Sequence, residues 1–239
     1  FGDLLAYLAS DPHTRAILLY IESVKHARKF MSAARAAARN KPVVLVKSGR
    51  RPDGARAAAS HTGALAGSDP VFDAAVRRAG MLRVDTLEDL FDAAQTLARV
   101  PGWRGPRLAV LTNGGGAGVL AADTLGGGEL ATLSPATLAQ LDTCLPATWS
   151  RGNPVDIIGD APPQRYTDAL RVLLAASEVD GVLLMHAPTA IAAPSDIAQA
   201  CLPLLRDAGK PVLACWLGGE RVAAARKLFD THGMAGYTT

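Results

Sequence analysis

Apolar runs of strand length alternate with longer amphipathic segments along the first part of the chain. The strand-like runs cover 16–21, 42–46 and 81–84, and the helical patterns cover 25–39, 70–79 and 87–98. A loop rich in Gly, Arg and Ser fills 48–67. Continuous apolar strands separated by amphipathic helices predict a parallel sheet covered on both faces.

The alternation stops at 100–106, where two Pro and two Gly fall within seven residues, and then resumes. Strands are predicted at 108–111, 154–158, 181–185 and 211–216, and helices at 117–125, after Ser134, and at 163–176, 195–206 and 220–230. Because a Pro/Gly cluster marks a linker, we predict two doubly wound α/β domains, 1–102 and 103–239.

The two halves also echo each other in sequence. The apolar run at 15–19 resembles that at 180–184, and each is followed by a helix and then by a Lys-Pro-Val strand start, at Lys41 and at Lys210. The echo favours two similar domains over an unrelated pair.

Composition narrows the functional class. The 239 residues carry a net charge of +3, with no apolar run long enough to span a bilayer and no signal-peptide pattern. Three dispersed cysteines (Cys144, Cys201 and Cys215) indicate a reducing compartment, so we expect a cytoplasmic protein with ordinary thiols and no membrane association. Positive charge collects in the first half of the chain, partly at Lys47, Arg50, Arg51 and Arg56. This cluster suits either a solvated loop or a field that attracts phosphate. Because no aromatic residues are interleaved with the basic ones, nucleic acid is a disfavoured ligand.

The densest chemical signal lies around His61. This histidine is flanked by Ser60, Thr62 and Gly63 within a loop of small residues. Small neighbours let another group approach the imidazole closely, and the hydroxyls offer hydrogen bonds to phosphate. Glu22 ends the first strand, and carboxyl ends of parallel strands share one edge of a sheet. A carboxylate bonded to one imidazole nitrogen leaves the other free as a nucleophile, although Glu22 also suits a surface carboxylate that caps the next helix.

Gly114, Gly115 and Gly116 follow a clear strand and open a helix. Glycines there allow a tight turn with backbone N–H groups aimed at an anion, so we expect them to bind phosphate. The turn resembles a dinucleotide fingerprint, but the acidic residue about twenty positions further on is missing. A second loop, from His186 to Pro194, leads to another helix N-terminus. His186 ends a strand and is a candidate for lining a cleft. Turn formation explains most of the residues in 153–161, and Asp156 and Asp160 are weaker candidates for binding a ligand.

Taken in order, these segments resemble the NDP-forming (ADP-forming) acyl-CoA synthetases of the succinyl-CoA synthetase superfamily. The diagnostic stretch is Ser-His-Thr-Gly-Ala-Leu-Ala-Gly at 60–67, supported by the motifs at 20–22, 41–44, 112–115 and 153–156. The resemblance implies two flavodoxin-like domains and a reversible three-step reaction. Acyl-CoA and phosphate give an acyl phosphate, a histidine takes the phosphoryl group, and a nucleoside diphosphate receives it. His61 matches the phosphorylated histidine and Glu22 the glutamate that holds it. The helix after 186–194 is a candidate for one that neutralises the phosphohistidine.

The same resemblance implies that parts of the protein lie outside this chain. A CoA-binding domain is expected before Phe1 and an ATP-grasp domain after Thr239, in the same or a partner chain, so CoA, ADP or ATP, and Mg would be bound by the full-length parent. No metal site or cofactor is expected in the fragment itself, which would be inactive alone. The expected partners are acyl-CoA, phosphate and nucleotide, and a homo-oligomer is compatible with the sequence.

Two other functions compete with this interpretation. Some similar proteins are fused to a GNAT-type protein-lysine acetyltransferase, so the chain suits a non-catalytic region that senses acyl-CoA or nucleotide. The presence of both His61 and Glu22 favours the synthetase. A nucleotide-binding oxidoreductase built on Gly114–Gly118 is disfavoured by the missing acidic residue.

Overall fold

The computed structural model describes residues 1–51, 53–54, 56, 68–100, 103–206 and 208–238. The chain divides into two compact units, Phe1–Ala98 and Arg99–Thr239, and each contains one parallel sheet. The predicted α/β class with two parallel sheets is therefore confirmed. The domain limits 1–102 and 103–239 stay a prediction.

The first unit contains three parallel strands in the order β1-β2-β3. In chain order its elements are α1 (Gly2–Ser10), β1 (Ile17–Ile21), α2 (Ala27–Asn40), β2 (Val43–Lys47), α3 (Asp69–Arg78), β3 (Leu82–Val84) and α4 (Leu87–Arg99). The central strand β2 is buried along its whole length, as its unbroken apolar run predicts.

Alternate residues of β2 enter two separate cores, and β1 contributes to one of them. On one face, Ile21 and Leu45 pack with residues of α1, α2 and α3, including Phe30 of α2. On the other face, Val44 and Val46 of β2 pack against Leu90 of α4. Because successive strand residues point to opposite faces, helices on both faces are needed to bury this sheet.

The second unit contains six parallel strands. Its elements are β4 (Arg107–Thr112), α5 (Gly115–Thr124), β5 (Glu129–Leu130), α6 (Pro135–Cys144), β6 (Val155–Asp156), α7 (Pro163–Ala175), β7 (Gly181–His186), α8 (Pro194–Arg206), β8 (Val212–Trp216), a 3-10 turn (Gly219–Val222), α9 (Ala223–Thr231) and β9 (Gly236–Tyr237). The strand order is β5-β4-β7-β8-β9. Strand β6 pairs with the far end of β4, at Leu111 and Thr112.

Local sequence explains how these helices begin. Ser134 caps α6 by accepting a hydrogen bond from the Thr137 N–H, and Pro135 occupies the first helical position, where a missing N–H costs nothing. The predicted helix at 220–230 is divided into a 3-10 turn and α9, and the left-handed Gly218 (φ 118°) precedes that turn.

The sequence echo between the halves has a structural cause. The Lys41 ammonium donates to the backbone carbonyls of Leu8 and Asp11 at the end of α1. The Lys210 ammonium donates likewise to the Ala176 carbonyl at the end of α7. A cation at a helix C-terminus satisfies carbonyls that lack intrahelical partners, and in both units it ties the start of a strand to the helix that precedes the neighbouring strand.

Three elements were not predicted: α1, β5 and β9. Both strands are only two residues long, and the polar and small residues around them give no periodic signal. Within the part of the chain that the structure describes, no helix is long and apolar enough to cross a membrane.

Candidate functional site

Glu22 lies where the carboxyl ends of β1 and β2 meet. Ile21 pairs with Lys47 across the two strands, and the Ser48 N–H donates to the Ile21 carbonyl at 3.0 Å. This bond carries the strand pairing to the position of Glu22, whose side chain is half-buried. Glu22 therefore lies at the carboxyl edge of the sheet, where the sequence predicts it.

A cavity of about 310 Å³ opens at this edge. Its polar lining comes from Glu22, Ser23, Lys47 and Ser68, and the rest is apolar: Val24, Ala27, Phe30, Met31, Val71, Phe72, Ala75 and Val76. A mostly apolar cavity with a few polar groups is the usual form of a small-molecule site.

Lys47 is the buried cation of this cavity. Only 4% of the residue is exposed. Its ammonium donates to the Ser48 carbonyl at 3.1 Å and lies 5.5 Å from the centre of the Phe72 ring. Burial holds the pKa of Lys47 below its usual value. The carboxylate of Asp69 opposes that shift, and Arg83 and Arg50 add to it.

Asp69, at the start of α3, is held mainly by Arg83. The Arg83 guanidinium donates to the two carboxylate oxygens of Asp69 at 2.8 and 2.9 Å and lies 3.5 Å from Asp73. Lys47 is farther from Asp69, at 3.9 Å. The first turn of α3 is thus fixed to β3 by an arginine, which also lies 5.7 Å from the Phe72 ring.

The predicted residues His61, Ser60, Thr62 and Gly63 lie outside the described residues. Ser68, the first described residue after them, lines the same cavity as Glu22 and Lys47. The assignment of His61 as phosphate carrier, and of its neighbours as phosphate ligands, stays a prediction.

In the second unit, Gly114, Gly115 and Gly116 form the turn between β4 and α5. Gly114 precedes the first residue of the helix, and its N–H donates to the Thr112 hydroxyl at 3.0 Å. The Asn113 side chain bridges to the end of β7, donating to the Ala187 carbonyl and accepting from the Ala187 N–H, both at 2.8 Å. These bonds fix the turn, while its phosphate binding stays a prediction.

The carboxylate of Asp156 lies against this turn. A Cβ atom added to Gly115 would be 2.8 Å from Asp156 Oδ2, so a larger residue there would force the carboxylate to shift. The other carboxylate oxygen accepts from the Ile158 N–H at 2.9 Å. A carboxylate beside a helix N-terminus is itself favourably placed, and a phosphate at this turn would meet its negative charge.

The remaining polar residues of 153–161 act within the fold. Asn153 accepts from the Val110 N–H and donates to the Leu108 and Ala131 carbonyls, at 2.7–3.0 Å. It thereby joins β4 to the chain beyond β5. Asp160 pairs with Arg165. The expectation that turn chemistry explains this segment agrees with these contacts.

His186 ends β7, but its side chain is buried in the core rather than open to a cleft. It is only 1% exposed, and Nδ1 lies 2.7 Å from the Tyr166 hydroxyl. The rings of Tyr166 and Trp216 each lie 5.7 Å from it. Burial lowers the pKa of His186 to about 4 and raises that of Tyr166. Sequence reasoning missed this because the apolar partners come from β8 and α7.

Two thiols are also buried. Burial raises the pKa of Cys201 to about 12 and that of Cys215 to about 11, so neither is a nucleophile near neutral pH. Among the described residues, no three His, Cys, Asp or Glu side chains come together as metal ligands.

Two family models match the chain almost end to end. A succinyl-CoA ligase like flavodoxin domain matches residues 1–97, and a Ligase-CoA domain matches residues 108–239. The chain belongs to the succinyl-CoA ligase family. Within this family it is an α-like region of the ADP-forming acetyl-CoA synthetases, as its relatives show.

Curated relatives cover the whole chain. It is 40% identical over 238 residues to an ADP-forming acetate–CoA ligase I of Archaeoglobus fulgidus, covering 99% of this chain and 34% of that protein. It is 36% identical to the α subunit of the ADP-forming acetate–CoA ligase I of Pyrococcus furiosus, covering 99% of this chain and 52% of the subunit. A 4-hydroxybutyrate–CoA ligase of Nitrosopumilus maritimus is 31% identical. The chain thus spans from about a third to about half of these relatives.

A solved structure shares the fold throughout. The dinucleotide-forming acetyl-coenzyme A synthetase 1 of Ca. Korarchaeum cryptofilum, in complex with phosphate and ADP, matches with a TM-score of 0.92 and 35% identity. The match covers 100% of this chain and 53% of that one.

Proposed function

We propose that this chain is the central region of an NDP-forming acyl-CoA synthetase and carries phosphate on His61. The observation that supports this best is the position of Glu22 at the β1–β2 edge, beside a cavity that also reaches Ser68. Six residues lie between His61 and Ser68, and a chain spans at most roughly 3.5 Å per residue, so this segment is long enough for His61 to reach the cavity that Glu22 and Ser68 share.

The proposed chemistry is two phosphoryl transfers through one imidazole. In the first, a bond forms between a neutral imidazole nitrogen of His61 and the phosphorus of an acyl phosphate, while the bond to the acyl oxygen breaks and a carboxylate leaves. In the second, a terminal oxygen of a nucleoside diphosphate attacks phosphorus and the P–N bond breaks, giving the triphosphate. Both steps are reversible.

Glu22 is proposed to orient His61. A hydrogen bond from the imidazole N–H to the carboxylate leaves the other nitrogen unprotonated and facing phosphorus, and it stabilises positive charge that develops on the ring. Since the cavity walls around Glu22 are largely apolar, this electrostatic contribution is larger than it would be in water.

The whole-protein activity is proposed to need parts outside this chain. CoA-binding and ATP-grasp domains, in the same or a partner chain, would supply CoA, nucleotide and Mg. We propose domain limits of 1–102 and 103–239, a cytoplasmic location, and phosphate binding by Gly114–Gly116. Acetate–CoA and 4-hydroxybutyrate–CoA ligases are both relatives, so acetate and 4-hydroxybutyrate are the first acids to assay with the full-length parent.

Steady-state kinetics of the full-length parent test the proposal. With acetyl-CoA, phosphate and ADP, His61→Ala should abolish ATP formation. Glu22→Gln should lower kcat about 100- to 1000-fold, corresponding to about 3–4 kcal/mol. Glu88→Gln, an exposed change in the first turn of α4, is the matched control and should retain full activity. Undiminished activity in His61→Ala would exclude the phosphohistidine, and no ATP formation by the unchanged parent would favour the non-catalytic alternative.

A further inference from the structure

Among the described residues, the buried ammonium of Lys47 has fewer partners than it can use. An ammonium has three N–H donors, and the one hydrogen bond to a described residue goes to the Ser48 carbonyl. Asp69, at 3.9 Å, is bonded more closely to Arg83. A buried charge normally requires paired and hydrogen-bonded surroundings, so Lys47 has capacity left for another acceptor.

The charge around Lys47 supports the same conclusion. Besides Asp69, the charged groups that act on it are Arg83 and Arg50, which are also cationic. Burial lowers the pKa of Lys47 by more than the carboxylate of Asp69 raises it. An anion entering the cavity, which Lys47 lines, would supply the ammonium with a further acceptor and an opposite charge.

The cavity has one acidic and one basic side chain that do not pair with each other. Glu22 and Lys47 both line it, yet the described residues include no ion pair between them. Apolar side chains form most of the remaining wall. This arrangement fits a group with an N–H donor at one end and negative oxygens at the other, which describes a phosphoimidazole.

We propose that Lys47 is an anion-binding residue that holds the phosphoryl group within the Glu22 cavity. The inference rests on the proposed function for the identity of the anion, because a phosphohistidine would place its N–H toward Glu22 and its phosphoryl oxygens toward Lys47. A hydrogen bond from a charged, buried ammonium is stronger than a hydrogen bond between neutral groups. The ammonium also balances the negative charge of a phosphoryl group that is shielded from water.

Binding of inorganic phosphate to the chain tests the inference without turnover. Phosphate is titrated against chloride at constant ionic strength; backbone amide NMR signals of the cavity residues Glu22, Val24 and Ser68 report occupancy in every variant, and the lysine side-chain signal does so in the unchanged chain. We expect saturable binding that shifts the Lys47 signal. Lys47→Met and Lys47→Gln should weaken affinity at least about 10-fold, and Lys47→Arg should largely restore it.

Lys210→Met is the matched control, because Lys210 is also partly buried and donates to a backbone carbonyl, but in the second unit. Its phosphate affinity should equal that of the unchanged chain. No saturable binding to the unchanged chain would overturn the inference, as would equal affinity in whichever neutral Lys47 variant retains the native near-UV circular dichroism spectrum.

Kinetics of the parent separate this inference from the proposed function. Lys47→Met should raise the KM for phosphate and slow phosphoenzyme formation about 100-fold. Normal phosphoenzyme formation in Lys47→Met, together with none in His61→Ala, would overturn the role of Lys47 and leave the phosphohistidine standing. Label that persists in His61→Ala would instead overturn the proposed function, and the phosphate titration would still decide whether Lys47 binds an anion.

Discussion

Acid should destabilise the second unit through one buried histidine. His186 accepts or donates one hydrogen bond, to Tyr166, while Nε2 has no partner among the described residues. Its aromatic neighbours offer no charge to balance an imidazolium. Burial therefore holds its pKa at about 4, against 6.5 for a free histidine.

The sign and size of the effect follow from proton linkage. The unfolded chain takes up a proton at His186 near pH 6.5, whereas the folded chain does so only near pH 4. The stability contributed by the neutral side chain is complete above pH 6.5 and is lost as the pH falls toward 4. A lowering from 6.5 to about 4 corresponds to about 3 kcal/mol, a large share of a domain's stability.

Urea unfolding followed by tryptophan fluorescence measures this loss, because all three tryptophans (Trp103, Trp149 and Trp216) belong to the second unit. Between pH 7 and pH 4.5, the unfolding free energy should fall steadily in the unchanged chain and in His232→Gln, a change at an exposed histidine of the same unit. In His186→Gln, which cannot titrate, the decline should be much smaller. Protonation of Glu178 and Asp180 lowers the unfolding free energy only at lower pH, because hydrogen bonds from Thr137 and Arg107 hold the pKa values of these carboxyl groups at about 2. An equal slope in His186→Gln and His232→Gln would refute the reasoning.

Three further predictions concern packing and reactivity. Gly115→Ala should lower the unfolding free energy by about 1–3 kcal/mol because the added Cβ would meet the Asp156 carboxylate. A Cβ added at Gly116 would meet nothing within 4 Å, so Gly116→Ala should be neutral or stabilising by up to about 1 kcal/mol. Equal melting temperatures in the two variants would contradict this prediction. Asn153→Ala should cost about 2–4 kcal/mol in a urea titration, since three backbone groups lose their partner, and a loss below about 0.5 kcal/mol would argue against that bracing role. Cys201 and Cys215 should resist alkylation at pH 8 until urea unfolds the chain, as mass spectrometry would show; rapid modification of the native protein would count against their raised pKa values.

The parallel sheets were predictable because their strands carry continuous apolar runs. Strands β2 and β7 lie within a residue or two of the predicted limits, and Glu22 lies at the predicted sheet edge. Strands β5 and β9 were not predictable, since two residues give no periodicity.

Long-range contacts account for the rest of what the sequence did not reveal. Lys47 reads as one member of a basic stretch, and only the packing of α2 and α3 against β2 makes it the buried cation of a cavity. The burial of His186 likewise depends on Tyr166 and Trp216, which lie 20 and 30 positions away in the chain. Burial of a polar side chain is set by partners that local patterns do not specify.

The central claim is that His61 carries phosphate beside Glu22, and phosphoenzyme labelling tests it most directly. The full-length parent is incubated with γ-labelled nucleoside triphosphate, and acid-labile, base-stable label is measured together with the modified residue by peptide mass spectrometry. The account predicts label on His61 in the unchanged enzyme, none in His61→Ala, and strongly reduced label in Glu22→Gln with the fold intact. Undiminished label in His61→Ala, or label assigned to a different residue, would contradict it.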